Sequence, residues 1–397
     1  MNISSIQRNL VYLFSFSLVF ENWHLFNLGG ISISKIIAFI LVFFSFLNFK
    51  KTFAIYPLRK YLYPVFFLAI LLLISFLVNF KGKDNSFYLL SMILQNIILF
   101  WIVSNIMYNN PKMVFNVLFY VNLGFFISAV FFIFGIGVEY NEGRLTIFGE
   151  NSNRIGLFSV FSLIYIFSTI IENKQNYNKW RYWLLVLIVP LLNMAAQTAS
   201  RVTFFALVLS VGLFFILKSD KNIAIKLFYT FLGAISIYAI FSYLMTFDLL
   251  RDRLFSFIDE GNLSGRDILW TYTIPFILEK PVIGVGVNGY THIISGLRGS
   301  FFSPHNVFIE IIAYSGFLGL LTFFLFFYRI FRAAIDSLKN HKFVLLFINV
   351  VLIFFIFFSG QGLAVKFFWI LYACIITINI NLSKQIDFLS QNKDKLS

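Results

Sequence analysis

Three polar side chains lie where the surrounding sequence is poorly suited to charge. Arg201, Arg266 and His305 each stand at the edge of an apolar run, in a chain that is 59% hydrophobic. Arginine can bind an anionic group through two parallel hydrogen bonds, which lysine cannot do. Imidazole, with a reference pKa of about 6.5, can accept a proton near neutral pH. Together the three residues predict a site for a phosphate-bearing substrate.

Each of the two arginines has a simpler interpretation as well. Arg201 at the end of a helix would ordinarily extend to lipid headgroups, but the polar segment 197–200 before it favours a lined cavity. Arg266 would ordinarily be a solvated loop residue. It stands, however, in the first turn of a predicted helix, with Ser264 as N-cap and Asp267 in a capping-box-like position. The free N–H groups of such a turn also attract anions.

His305 opens an apolar run, where it is either an interfacial histidine satisfied by water or a general base. Asn306 and Glu310 are candidates to orient it or to bind substrate, since Glu310 falls roughly one helical turn further on. A second polar loop, 139–154, is either an ordinary solvated loop or a surface that binds carbohydrate hydroxyls. Its candidate substrate-binding residues are Arg144, Glu150 and Asn153.

The elements that must position these residues are membrane-spanning helices. Only 12% of the residues are charged, about half the share in soluble domains, and many apolar runs approach the roughly 20 residues that a spanning helix needs. The runs are continuous, which excludes the short alternating strands of a membrane β-barrel. We predict an all-α, polytopic integral membrane protein with about twelve transmembrane helices, at 9–27, 33–49, 61–80, 87–107, 112–137, 153–171, 181–199, 201–217, 222–247, 303–328, 342–359 and 362–381.

The runs divide the chain into three parts. A transmembrane bundle of about nine helices is predicted for 1–247, and C-terminal transmembrane helices with a cytoplasmic tail for 303–397. The interval 248–302 is predicted to be a long periplasmic loop that contains short helices, one of which begins near Arg266 and lies on the membrane surface before Pro281.

The distribution of charge orients the chain. The net charge is +14, and most basic residues fall in short loops on one side of the predicted spans, which the positive-inside rule assigns to the cytoplasm. Both termini are then cytoplasmic, and Arg201, His305 and the long loop face outward. An anionic lipid surface accounts for this charge, so no nucleic-acid partner is predicted. The single cysteine and four histidines lack metal-ligand spacing, and we predict neither a metal nor a cofactor.

The ordered set of polar motifs resembles the O-antigen polymerase/ligase superfamily of bacterial envelope glycosyltransferases. The resemblance covers essentially the whole chain and is strongest over 144–320. No single motif is specific, but their order and spacing agree. The matching elements are 149–153, 198–201, 264–266 with Trp270, 281–286, 305–306 and 316–319.

The resemblance implies an enzyme of the bacterial inner membrane that works at its periplasmic face. Its donor would be an undecaprenyl-diphosphate-linked glycan and its acceptor a second glycan, with no metal and with a chain-length regulator protein as an additional candidate partner. By the same resemblance, Arg201 and Arg266 would bind the diphosphate. His305 would activate the acceptor hydroxyl.

Several functions remain open at this point. The resemblance favours a polymerase (Wzy type) that extends O-antigen or capsular polysaccharide. A ligase that transfers the polymer to lipid A-core, or a protein O-oligosaccharyltransferase, is the alternative. A transporter of lipid-linked sugars is the non-enzymatic alternative, but it would place charged or broken helix pairs near mid-membrane, and the predicted spans have few such residues.

Overall fold

The computed structural model describes residues 2–23, 32–80, 86–171, 179–218, 222–261, 265–299, 303–341, 344–358 and 362–393. It confirms an all-α polytopic architecture with one small hairpin. The helices are α1 Ile3–Ser17, α2 Ile33–Phe46, α3 Phe49–Thr52, α4 Arg59–Val78, α5 Ser86–Asn109, α6 Met113–Ile133, α7 Ser152–Ile171, α8 Ile188–Gln197, α9 Arg201–Lys218, α10 Ile223–Leu244, α11 Asp248–Glu260, α12 Arg266–Glu279, α13 Gly286–Arg298, α14 Val307–His341, α15 Val344–Ile356 and α16 Lys366–Lys393.

Most predicted spans coincide with one of these helices to within a few residues. Among the residues described, seven helices are long and apolar enough to cross a membrane, and four shorter apolar helices accompany them. The first helix lies nearer the N-terminus than the predicted span 9–27. Helix α1 ends at Ser17 and is followed by a 3-10 turn at Leu18–Phe20, and residues 24–27 lie outside the described residues. The seventh, 181–199, begins as a 3-10 helix at Lys179–Leu187 before α8. A total of about twelve spans stays a prediction.

The predicted long loop contains three helices, α11, α12 and α13. The helix expected near Arg266 is α12; it ends at Glu279, just before Pro281. Its cap differs from the prediction, because Gly265 occupies the N-cap position with a left-handed backbone (φ 73°) and no side chain caps the helix. Ser264 lies outside the described residues.

A β-hairpin occupies the polar loop 139–154, where we had predicted no regular structure. Strands β1 Val138–Asn141 and β2 Arg144–Ile147 pair antiparallel, with Asn141 opposite Arg144. The two turn residues, Glu142 (φ 52°) and Gly143 (φ 74°), are both left-handed, as the tightest hairpin turn requires. Arg144 is therefore the first residue after a rigid turn.

The bundle is held by helix pairs both distant and close in sequence. Helix α4 packs on α14, α5 on α16, and α7 on both α8 and α9. Gly156 of α7 allows its close approach to α9, because an added Cβ would overlap the side chain of Thr203. Helix α10 packs mainly on α9, and only 6% of its most apolar stretch is buried.

Two glycine-containing motifs dock on each other beside the bundle. Helix α14 is interrupted at Gly316, whose backbone (φ 68°, ψ −169°) lies in a region essentially restricted to glycine. The interruption receives the segment 281–286: the Phe317 N–H donates to the Pro281 carbonyl at 2.7 Å, and the Val285 N–H donates to the Ala313 carbonyl at 2.9 Å. This contact fixes the end of α12 against α14.

Replacing Gly316 with alanine should destabilise the fold by roughly 3 kcal/mol, since the side chain is incompatible with this backbone and would overlap the Val282 carbonyl. Thermal unfolding in detergent measures the change. Gly296→Ala in α13 is the matched control, because nothing lies within 4 Å of its added Cβ. That substitution should be neutral or slightly stabilising, and equal unfolding midpoints for both variants would contradict the docking argument.

Candidate active site

The predicted site residues lie at the beginnings of helices. Arg201 is the first residue of α9 and Arg266 the first of α12, and His305 stands two residues before α14. The Trp270 indole N–H, one turn into α12, donates to the Pro304 carbonyl at 2.8 Å. This bond joins the helix that begins with Arg266 to the segment that carries His305.

A backbone break between α8 and α9 sets the position of Arg201. Ala199 adopts a left-handed conformation (φ 46°), and the hydroxyl of Ser200 accepts the Thr203 N–H at 3.3 Å as the helix begins. The Arg201 guanidinium then lies 5.0 Å from the centre of the Phe257 ring of α11. The polar segment before Arg201 is therefore a helix break, as the sequence indicated.

The hairpin brings Arg144 to the same break. Its Nε donates to the Thr198 carbonyl at 2.9 Å, and its Nη2 donates to Oδ1 of Asn153 at 2.8 Å. Two residues predicted to bind substrate, Arg144 and Asn153, are thus bonded to each other. They tie the hairpin to α7 and to the end of α8.

Four guanidinium groups lie within electrostatic range of one another, and we call them the arginine cluster: Arg144, Arg201, Arg253 and Arg266. Burial, followed by the charges of Arg253 and Arg266, lowers the pKa of Arg144 to about 10. Burial, followed by Arg201 and Arg253, also lowers the pKa of Arg266. Burial lowers the pKa of Arg253, and Glu142 partly opposes this. Such concentrated like charge favours a bound anion.

His305 lies beside the arginine cluster in a left-handed backbone conformation (φ 51°). Burial, and then the charges of Arg266, Arg154 and Arg144, lower the pKa of the imidazole to about 4. The imidazole is therefore neutral at physiological pH and able to accept a proton. Left-handed residues other than glycine cost free energy and concentrate at functional sites.

A cavity of about 270 Å³ opens beside the imidazole, lined by His305, Asn22, Glu150, Asn153 and Arg154 among others. Glu150 is 5% exposed and is held by three donors. It accepts from Nη1 of Arg154 at 3.0 Å, from Nδ2 of Asn22 at 3.0 Å and from the N–H of Asn151 at 2.9 Å. Its charge is satisfied within the protein, so Glu150 shapes the wall of the cavity.

Within the described parts of the chain, the hydrogen bonds of Asn306 and Glu310 go to groups other than His305. The Asn306 side chain accepts the N–H groups of Phe308 at 2.9 Å and Ile309 at 3.2 Å, so it caps α14. Glu310 is 1% exposed, and its Oε2 accepts the Gly362 N–H at 3.4 Å. The prediction assumed that one helix contains His305, Asn306 and Glu310. Helix α14 begins only at Val307, so helical spacing does not relate His305 to the other two residues.

Two arginines of the site were not among the predicted residues. Arg253 belongs to α11, which was part of the predicted loop. Arg154 lies in the first turn of α7 and forms an ion pair with Glu150. The segment 248–260 carries Arg251 and Arg253 amid apolar residues. A prediction of a helix there would have identified Arg253 as a candidate site residue. In the described part of the chain, no group of three or more His, Cys, Asp or Glu side chains is placed to hold a metal ion.

Part of the chain is similar to a known protein family. Residues 186–324 match a family model described as O-antigen ligase (Wzy_C), a segment that contains Arg201, Arg253, Arg266 and His305. The match covers about a third of the chain and confirms the predicted resemblance to the O-antigen polymerase/ligase superfamily. The search of curated proteins gave no match.

The lowered pKa of His305 makes stability depend on pH. Between about 6.5 and about 4 the unfolded chain binds more protons at this residue than the folded chain, so folding stability falls as the pH is lowered through that window. His305→Gln removes this contribution. Its thermal midpoint should therefore decline less than that of the wild type between pH 6.5 and pH 4.

The exposed His292 of α13 provides the control for this measurement. His292→Gln should retain the full decline of the wild type, because it leaves the buried His305 in place and changes only an exposed side chain. If the two variants gave the same pH dependence, His305 would not be buried as a neutral side chain.

Proposed function

We propose that the chain is a membrane glycosyltransferase that polymerises undecaprenyl-diphosphate-linked oligosaccharide units into O-antigen or capsular polysaccharide. The observation that carries the proposal is the arginine cluster beside a buried, neutral His305. The family match to an O-antigen ligase domain supports the class of reaction. Transfer of finished polymer to lipid A-core, or to a protein, is the alternative that this match also supports.

In the proposed reaction, Arg201 and Arg266 bind the donor diphosphate. The acceptor hydroxyl oxygen attacks the anomeric carbon of the donor sugar as His305 takes the hydroxyl proton. The bond between that carbon and the diphosphate oxygen breaks, and its electron pair stays on the diphosphate. The arginines stabilise the charge that develops on the leaving group, and no step requires a metal.

The proposed location is the bacterial inner membrane, with both termini in the cytoplasm and the site at the periplasmic face. The charge bias of the loops supports this orientation. We further propose that 1–247 and 303–397 are the transmembrane parts and that 248–302 is the periplasmic segment. Its helices α11 and α12 carry Arg253 and Arg266 to the site. A chain-length regulator remains a candidate partner.

Substitution of the proposed base should abolish glycan extension without unfolding the protein. In proteoliposomes supplied with lipid-linked repeat units, His305→Ala should slow extension by about 10²–10⁴-fold, the usual contribution of a positioned base. Arg266→Lys should slow it by about 10²–10³-fold, because lysine keeps the charge but loses the bidentate geometry. Product length on a gel measures both.

Arg251→Lys in α11 is the matched control, because this partly exposed residue pairs with the exposed Asp248. Polymer of normal length from His305→Ala would refute the role of the base. In cells that lack the protein, long lipid-linked chains with none attached to lipid A-core would indicate that it is a ligase. Flux of lipid-linked sugar without change in glycan length would indicate a transporter.

Substrate binding should raise the pKa of His305. The bound diphosphate would neutralise the charges of Arg266 and its neighbours. In the free protein these charges contribute to the low pKa of His305, about 4. The acid limb of kcat/KM, which reports the free enzyme, should therefore lie at lower pH than the acid limb of kcat, which reports the complex. Initial rates must be measured on both sides of the free-protein pKa of about 4. Coincident limbs would show that the arginines do not bind the diphosphate.

A further inference from the structure

A largely buried ion pair joins the end of α1 to the start of α16. Lys366, the first residue of α16, is 5% exposed and pairs with Glu21, which directly follows the 3-10 turn after α1. Removing two charges from water costs free energy, and apolar side chains of similar volume often serve the fold equally well. Fold stability therefore does not by itself account for charge at these two positions.

The start of α16 is fixed by contacts other than this ion pair. The Leu363 carbonyl, three residues before Lys366, accepts from Nδ2 of Asn96 at 3.1 Å and from Nε1 of Trp369 at 2.9 Å. These bonds connect α16 to α5 without using the lysine side chain. The helix should therefore keep its place when Lys366 is substituted.

The residue after Glu21 belongs to the wall of the candidate active site. Nδ2 of Asn22 donates to Oε2 of Glu150 at 3.0 Å, and Oε1 of Glu150 accepts from Nη1 of Arg154 at 3.0 Å. Asn22, Glu150 and Arg154 all line the cavity beside the imidazole. A single step along the backbone therefore connects the ion pair to the carboxylate that holds Arg154.

Two carboxylates and two cations line one small cavity. Its volume is about 50 Å³, and Glu21, Glu150, Arg154 and Lys366 are among its lining residues. Such a space holds only a few water molecules, and opposite charges attract strongly where little water separates them. Arg154 therefore has a second carboxylate, Glu21, within its reach, and in the structure that carboxylate is occupied by Lys366.

The direction in which Arg154 points affects His305. Both residues line the cavity of about 270 Å³. Besides burial, which acts most strongly, the charges of Arg266 in α12, Arg154 in α7 and Arg144 in β2 lower the pKa of the imidazole. If Arg154 turned toward Glu21, its charge would move away from the imidazole and its N–H groups would leave the wall of the cavity.

We infer that Lys366 is a positioning residue for the candidate active site. By neutralising Glu21, it prevents that carboxylate from drawing Arg154 away from Glu150 and from the cavity beside His305. It acts through these side chains and does not itself line that cavity. The consequence for glycan transfer rests on the proposed function, whereas the consequence for the imidazole does not.

The titration of His305 tests this role without any substrate. In full-length protein with isotope-labelled imidazoles in lipid nanodiscs, the NMR signal that His305→Gln removes belongs to this residue. Lys366→Gln should move its titration midpoint to a higher pH than in the wild type. Arg154 then turns toward the unpaired Glu21, and its charge no longer opposes protonation of the imidazole. Lys366→Met, which keeps the volume of the lysine stem, carries the same expectation if the glutamine variant does not fold.

A second substitution should reverse the effect of the first. In the double variant Glu21→Gln, Lys366→Gln, the competing carboxylate is gone and Arg154 returns to Glu150. The midpoint of His305 should therefore return close to that of the wild type. A midpoint raised equally in the single and double variants would overturn the positioning role, and so would an unchanged midpoint in Lys366→Gln.

Asn379→Ala is the matched structural control. Asn379 is also 5% exposed and lies on the same helix, about 20 Å from Lys366 at 1.5 Å per residue. Its Oδ1 accepts the Tyr61 hydroxyl at 3.1 Å. Loss of this bond should lower the thermal unfolding midpoint and leave the titration of His305 unchanged. A raised titration midpoint in this variant would mean that general loosening of α16 explains the effect of Lys366→Gln, and would also overturn the inference.

Initial rates separate this inference from the proposed function. Glycan extension by Lys366→Gln should be roughly 10–100-fold slower than in the wild type, the scale of a displaced active-site group, and the double variant should recover most of the rate. A raised and reversible midpoint in a protein whose wild type extends no glycan refutes the transfer reaction and leaves the positioning role standing. Active wild type with normal rates in Lys366→Gln overturns the role of Lys366 in transfer and leaves the proposed function intact.

Discussion

Concentrated positive charge at the ends of apolar helices is the constraint on which the candidate site depends. Arg144, Arg201, Arg253 and Arg266 repel one another, and burial adds to the cost of their charges. The arrangement holds because the helices that carry them are fixed elsewhere, by packing inside the bundle and by the bond from Trp270 to the Pro304 carbonyl. Rigid placement of donors before an anion arrives is what makes such a site effective.

Backbone conformation aims the side chains of the site. Among the described residues other than glycine, positive φ occurs at Glu142, Phe148, Ala199 and His305, and each lies in a segment that builds the site. Glu142 turns the hairpin toward the break at Ala199, and Phe148 precedes the turn into Glu150. The cost of these conformations, of order 1–3 kcal/mol each, is offset by packing of the helices around them.

The sequence predicted the helices well because hydrocarbon allows few alternatives. A backbone in lipid must satisfy its own hydrogen bonds, so a run of about 20 apolar residues is a reliable sign of a helix. Arg201, Arg266 and His305 could also be selected, because polar residues at the edges of such runs are conspicuous. Their mutual proximity could not be derived from spacing.

Contacts between residues that are distant along the chain could not be predicted from the sequence. Asn306 and Glu310 were assigned to His305 by their separation along the chain, yet one caps α14 and the other contacts Gly362. Arg253 was not predicted because α11 is too short and too polar to be identified as a membrane span. The hairpin was missed because its strands have only four residues each, and its turn is specified by Glu142 and Gly143 alone.

The exposed apolar faces of the helices have a consequence for how such chains diverge. A mostly exposed side chain on an apolar helix, such as Phe231 of α10 at 66%, needs to be apolar but has few partners whose shape it must fit. The 56 phenylalanines of the chain can therefore accumulate there through mutational drift of the genome without disturbing catalysis. Sequence similarity among such proteins should then be retained mainly in the segments outside the hydrocarbon, where residues have specific neighbours.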